Sequence, residues 1–114
     1  ETIARLQAYA NAGADCLYAP GVTTREQIVA LVQAVAPKPL NLLVGSASAL
    51  TVADIAALGV RRISVGGALA RSAWGGFMRS AQMLAQQGRF DGFADAASGK
   101  DLNALFTEPG AGLS

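Results

Sequence analysis

The sequence predicts a parallel α/β fold made of repeated strand–helix units. Short apolar runs that read as buried strands alternate with amphipathic helical segments of 10 to 15 residues. Glycines fall where helices should stop, at Gly13, Gly59 and Gly88. Two stretches, from Gly13 and from Gly59, repeat the order helix end, glycine, small apolar residue, strand, with one complete strand–helix unit between them. Three parallel strands with bare edges make a poor domain by themselves. They read as consecutive staves of a (β/α)8 barrel, which takes about 250 residues.

The elements follow in order. Ile3, Leu6 and Ala10 lie at helical spacing, and Gly13 ends that helix. The run 15–19 before Pro20-Gly21 reads as a strand. Thr23 and Glu26 fit a capping box, after which Ile28, Leu31, Val32 and Val35 fall at i, i+3, i+4 and i+7. Pro37 and Pro39 close that helix, and the run 40–44 is the second strand.

Thr51 and Asp54 signal another start, with Val52, Ile55 and Ala56 as its inner face and Gly59 as its stop. The third strand is 62–65. A long helix is expected from Ala68 to about Gln87, stopped by Gly88. Beyond it stand two apolar clusters, Phe90/Phe93 and Leu102/Leu105/Phe106. Residues 107–114 read as a flexible tail after a fragment of a barrel domain at 1–106.

Composition excludes several classes. The chain is 52% hydrophobic and 15% charged, with mean hydropathy +0.34, too apolar for a disordered segment. No apolar run reaches the roughly 18 residues of a membrane span. A net charge of +1 supplies no basic patch, so no nucleic-acid partner is expected. One Cys forms no internal disulfide, and the absence of His removes the commonest general base and metal ligand. Glu1 to Arg5 shows no initiator Met and no leader pattern. The expectation is a cytoplasmic protein of which this chain is one piece.

The elements resemble the C-terminal part of the isocitrate lyase/phosphoenolpyruvate mutase superfamily. The resemblance rests on the helix end Ala8-Tyr9-Ala10-Asn11-Ala12-Gly13-Ala14-Asp15, the strands 16–19 and 39–44, and Leu58 to Ala68 (LGVRRISVGGA) with the Trp-containing helix after it. It covers residues 1 to about 106. It implies that the strands are the sixth, seventh and eighth of the barrel. It also implies that the Mg2+ ligands and most substrate ligands lie outside this chain, so neither catalytic nor metal-binding residues are expected within it. The implied parent is a Mg2+-dependent lyase or mutase of small 2-oxo acids or 2-hydroxy-carboxylates, with C–C or P–C bonds cleaved or rearranged. The fragment alone would be inactive. Members are usually dimers of dimers in which the eighth helix crosses to a neighbour.

Barrel sites sit at the carboxyl ends of strands. The candidate substrate-pocket residues are therefore Tyr18, Pro20 and Gly21 after the first strand, Gly45 and Ser46 after the second, and Gly66 after the third. Pro20 stands where the resemblance would place a His or Glu, and Gly21 where some members have Ser; both departures suggest a divergent branch. Glycines at 45, 66 and 67 also permit backbone binding of a phosphate, the mark of an aldolase-type barrel. Against that alternative, neither Lys38 nor Lys100 lies at a strand's carboxyl end.

Cys16 reads as packing, Asn41 as a satisfied core amide, Glu26 and Asp54 as caps, and Arg61 and Arg62 as solvent-facing. On the long helix, Ala68, Ser72, Gly76 and Ser80 form a small-residue stripe beside Trp74, Phe77 and Leu84. Ser72, Trp74, Gly76, Phe77, Ser80 and Leu84 are the candidate contacts of a homo-oligomer, dimer or tetramer. A third reading makes the chain an assembly unit without catalysis.

Overall fold

The computed structural model describes residues 1–107. The order is α1 (Thr2–Asn11), β1 (Leu17–Tyr18), α2 (Arg25–Val35), β2 (Leu40–Leu43), α3 (Val52–Ala57), β3 (Arg62–Ser64), α4 (Ala68–Gln87), a 3-10 turn at Asp91–Phe93, and α5 (Gly99–Thr107). The strands form one parallel sheet in the order β1-β2-β3. Each strand is thus joined to the next by a helix, the geometry a parallel ladder requires. The chain divides into two compact units, Glu1–Arg71 and a second one from Ser72 onward.

The first unit holds the core. Leu17, Leu40 and Leu42 project from one sheet face onto Leu6 of α1, Ile28, Leu31 and Val35 of α2, and Ile55 of α3. Ile28 is completely buried. Gln7 Nε2 donates to Ala34 O at 3.3 Å and ties α1 to α2. Gly13 and Gly59 end their helices with φ of 103° and 96°, in the left-handed region that side chains avoid.

Several boundaries differ from the sequence reading. The first strand keeps only Leu17 and Tyr18, because a parallel ladder extends only as far as its neighbour pairs, and Leu17 and Tyr18 pair with Leu40 and Asn41. Cys16 is therefore exposed rather than packed. The cap of α2 is Thr24 with Gln27, not Thr23 with Glu26. In this register Gln27 Oε1 accepts from the N–H groups of both Thr23 and Thr24, each at 3.3 Å, so one side chain satisfies two donors.

The cap of α3 is Thr51 with Asp54, as expected. Six residues make less than two turns, so α3 presents only Ile55 to the core; Ala56 is exposed and Val52 is 71% exposed.

In the second unit, Ser80 Oγ donates to Gly92 O at 2.9 Å, and a β-carbon on Gly92 would lie 2.9 Å from the Ser80 backbone. The rings of Trp74 and Phe77 meet edge-on at 5.5 Å. No residue of α4 or α5 is buried. Thr107, expected in a tail, is the last residue of α5; the rest of that tail lies outside the described residues.

Candidate functional site

In a parallel strand–helix repeat, every loop that leaves a strand for a helix lies at one end of the sheet. Here those loops are 19–24, 44–51 and 65–67. The loop after β2 borders a half-open cavity of about 250 Å³ with walls from Val22, Ile28, Leu42, Val44, Leu50 and Ile55. Gly45 and Ser46 line it, together with Thr23 and Ser48. Ser48 Oγ accepts from Leu50 N at 3.1 Å and shapes the loop from within.

The other candidate residues lie outside that lining. Tyr18 is half exposed on β1. Pro20 and Gly21 form an exposed turn, with Gly21 at φ 80°. Gly66 turns the chain out of β3 at φ 53°, and a β-carbon there would stand 3.5 Å from Leu43 Cδ1.

Two groups escaped the sequence reading. Arg71, in the first turn of α4, donates from Nη2 to Gly45 O at 2.5 Å, and its Nη1 would lie 3.3 Å from a β-carbon on Gly67. It spans the loops after β2 and β3. A cation in the turn after Gly66-Gly67 was the available signal, but its partner was not readable. The second group lies on the sheet face turned away from the helices. There Tyr18, Asn41 and Arg62 stand in register across the three strands. Arg62 Nη1 donates to Asn41 Oδ1 at 2.9 Å, and Asn41 Nδ2 donates to Ser64 Oγ at 2.9 Å. Asn41 is 5% exposed and satisfied at both ends, as expected. Arg62, expected simply to face solvent, is exposed but committed to that amide.

The electrostatics of the loop end centre on Asp54. Its carboxyl is held below the usual carboxylate value, first by the Thr51 N–H and then by the Thr51 hydroxyl; partial burial opposes this and Arg25 adds to it. The distances are 2.8 Å to Thr51 N and Oγ1 and 3.5 Å to Arg25 Nη2. Glu26 takes no part in the cap. Among the described residues no three His, Cys, Asp or Glu side chains gather to hold a metal ion. Asp54 is already occupied by its cap. The described residues therefore do not fit a Mg2+ site.

The phosphoenolpyruvate phosphomutase family matches residues 1–85. The chain belongs to that family. Among solved structures, a Burkholderia cenocepacia J2315 protein assigned as a lyase/mutase is 48% identical, with a TM-score of 0.87 over 95% of this chain. Oxaloacetate acetylhydrolase, solved with its product oxalate, is 29% identical with a TM-score of 0.74 over 91% of the chain. A 2,3-dimethylmalate lyase of the phosphoenolpyruvate mutase/isocitrate lyase superfamily is 25% identical, with a TM-score of 0.73 over 92%. No curated protein matches. The chain spans 39%, 37% and 38% of these three structures, well under half of each. As a phosphoenolpyruvate phosphomutase family chain, it carries the sheet, the loops and the Arg71 bridge, but no metal centre among its described residues.

Proposed function

We propose that these residues are the last three strand–helix units of a barrel enzyme, a lyase or mutase acting on small 2-oxo acids or 2-hydroxy-carboxylates. The observation that carries this reading is the family match over residues 1–85, together with loops gathered at the carboxyl ends of a parallel sheet. The loops after β2 and β3, tied by Arg71 to Gly45, form part of the wall of the substrate site. Tyr18, Pro20 and Gly21 contribute from the loop after β1. The side chain of a proline at 20 offers neither a proton nor a charge, so that side chain meets the substrate by shape. Mg2+ belongs to residues outside this chain, where it would stabilise an enolate-like oxygen. The lysines of this chain count against the aldolase-type alternative, since Lys38 precedes β2 and Lys100 lies in α5, neither at a strand's carboxyl end.

We also propose that the whole protein assembles through α4. Trp74 and Phe77 are 62% and 63% exposed, and Leu84 is partly so. Burying the three side chains against a second copy would contribute about 5–8 kcal/mol before ordering costs. Gly76 and Ser72 let a neighbouring backbone come close, whereas Ser80 also serves Gly92 within its own chain. The oligomer is cytoplasmic and takes neither nucleic acid nor membrane as partner.

The test is turnover by the whole protein with Mg2+ and oxaloacetate, 2,3-dimethylmalate or phosphoenolpyruvate, followed by product analysis. One of these, or a close 2-oxo acid, is consumed only when Mg2+ is present. The 114-residue chain alone consumes none. Robust cleavage by the isolated chain, or no turnover of any such acid by the whole protein, overturns the reading.

A further inference from the structure

We propose that Ser64 is a ligand-binding hydroxyl of the enzyme, and that Asn41 and Arg62 fix the direction in which it donates. The ligand is an anionic oxygen of the 2-oxo acid or hydroxy-carboxylate, so the inference rests on the reading above.

Arg62 fixes the direction of the row. A guanidinium donates and never accepts. The side-chain oxygen of Asn41 must therefore face Arg62, and its NH2 must face Ser64, whichever way an amide might otherwise be turned. The two contacts are 2.9 Å each. An amide NH2 cannot accept, so Ser64 Oγ receives that bond in a lone pair. The hydroxyl hydrogen is left over, and among the described residues nothing accepts it. The chain of donation runs one way, from Arg62 through Asn41 to Ser64 and then outward. A charged donor at its head polarises each bond that follows, which makes the final hydroxyl a better donor.

Position supports the same conclusion. Ser64 is the last residue of β3, two before Gly66, at the end of the sheet where the loops gather. It is half-buried, so it can meet a ligand without being lost in bulk water. The inner faces of such barrels are filled mainly by branched apolar side chains. The buried amide of Asn41 on this face is tolerated because Arg62 and Ser64 satisfy its two ends. Leu, Val or Ile at 41 would have packed a sheet without them. What the polar row supplies, and an apolar row would not, is a hydroxyl of fixed polarity at the loop end.

The experiment uses the whole protein and oxalate as the calorimetric probe. Ser64→Ala weakens oxalate binding about tenfold or more, the effect of a hydrogen bond to a charged group. Ser64→Thr, which keeps the hydroxyl, stays within about threefold. Asn41→Asp turns the middle of the relay into an acceptor at both ends; it captures the hydrogen of Ser64 and also weakens binding. Combined with Ser64→Ala, it weakens binding by much less than the product of the two single effects. A merely structural row would lower thermal stability in all these variants and leave the affinity of the folded protein unchanged. Wild-type affinity in Ser64→Ala overturns this inference alone. A wild-type protein that turns over a 2-oxo acid but does not bind oxalate is judged by KM and kcat; unchanged values in Ser64→Ala again overturn this inference alone. A protein that neither binds oxalate nor turns over any such acid overturns the proposed function together with it.

Discussion

A methyl carbon of Val32 stands where a side chain at Gly59 would have to go. A β-carbon built on Gly59 would lie 2.8 Å from Val32 Cγ1, closer than real contacts allow. Gly13 shares the left-handed conformation but has open space around it, φ being 103° there and 96° at Gly59. The pair separates backbone strain from packing. Gly13→Ala should lower the unfolding free energy by about 1 kcal/mol, and Gly59→Ala by about 3 kcal/mol or more, because the clash adds to the strain. Urea midpoints of the two variants check this. Equal losses would mean that α2 yields to the intruding methyl.

Ile28 carries the centre of the core. It is completely buried beneath β2 and beside the loop cavity. Ile28→Ala should destabilise by about 2–5 kcal/mol, whereas Ile28→Val should stay near 1 kcal/mol. Denaturant titration of both variants gives the ratio. A loss below 1 kcal/mol for Ala would show that the loop collapses into the space.

The Asp54 cap predicts an acid limb of known sign. Hydrogen bonds from Thr51 hold the folded carboxyl below its unfolded value, which is near 4. A depressed value stabilises the fold in full above the unfolded value, and the contribution is lost as pH falls through the folded one. Stability of the wild type should therefore drop between about pH 5 and 3 by more than that of Asp54→Asn. Arg25 is more than half exposed at 3.5 Å, so Arg25→Ala should change this limb little. Parallel acid limbs for wild type and Asp54→Asn would remove the carboxylate from the account.

Assembly is tested at Gly76. A β-carbon there meets only the end of the Arg79 side chain, at 3.9 Å, so a larger residue fits the isolated chain. Gly76→Leu should leave helix content unchanged by circular dichroism and weaken association of the whole protein several-fold by sedimentation. A variant that associates as well as the wild type places the contact elsewhere.

The parts of the fold set by local chemistry could be read from the residues alone. The helix stops at Gly13, Gly59 and Gly88 needed only a backbone that turns left, and all three have positive φ. The span of α4 came through its two central glycines, because its apolar positions keep helical period on either side of them. At α2, Thr23-x-x-Glu26 and Thr24-x-x-Gln27 both satisfy the capping pattern, and only three-dimensional reach decides between them. The site was less legible. Gly45 and Ser46 follow from topology, but Arg71 meets Gly45 across 26 residues, and Arg62 meets Asn41 across 21. Period two alone puts Arg62 and Ser64 on one face of β3. Bringing Asn41 opposite them requires the register, which no single strand contains.

That register has a further consequence for folding. The apolar–polar–apolar order of Leu40, Asn41 and Leu42 penalises a slip of one residue, since the two leucines would trade faces with the amide. It is blind to a slip of two, which restores every side chain to its proper face. Sliding β3 by two residues would set Arg62 against Leu43 or Pro39 in place of Asn41, and the hydrogen bond from guanidinium to amide would be lost. The amide of Asn41 thus acts as an alignment key: it disfavours the even-numbered misthreadings that hydrophobicity would let pass.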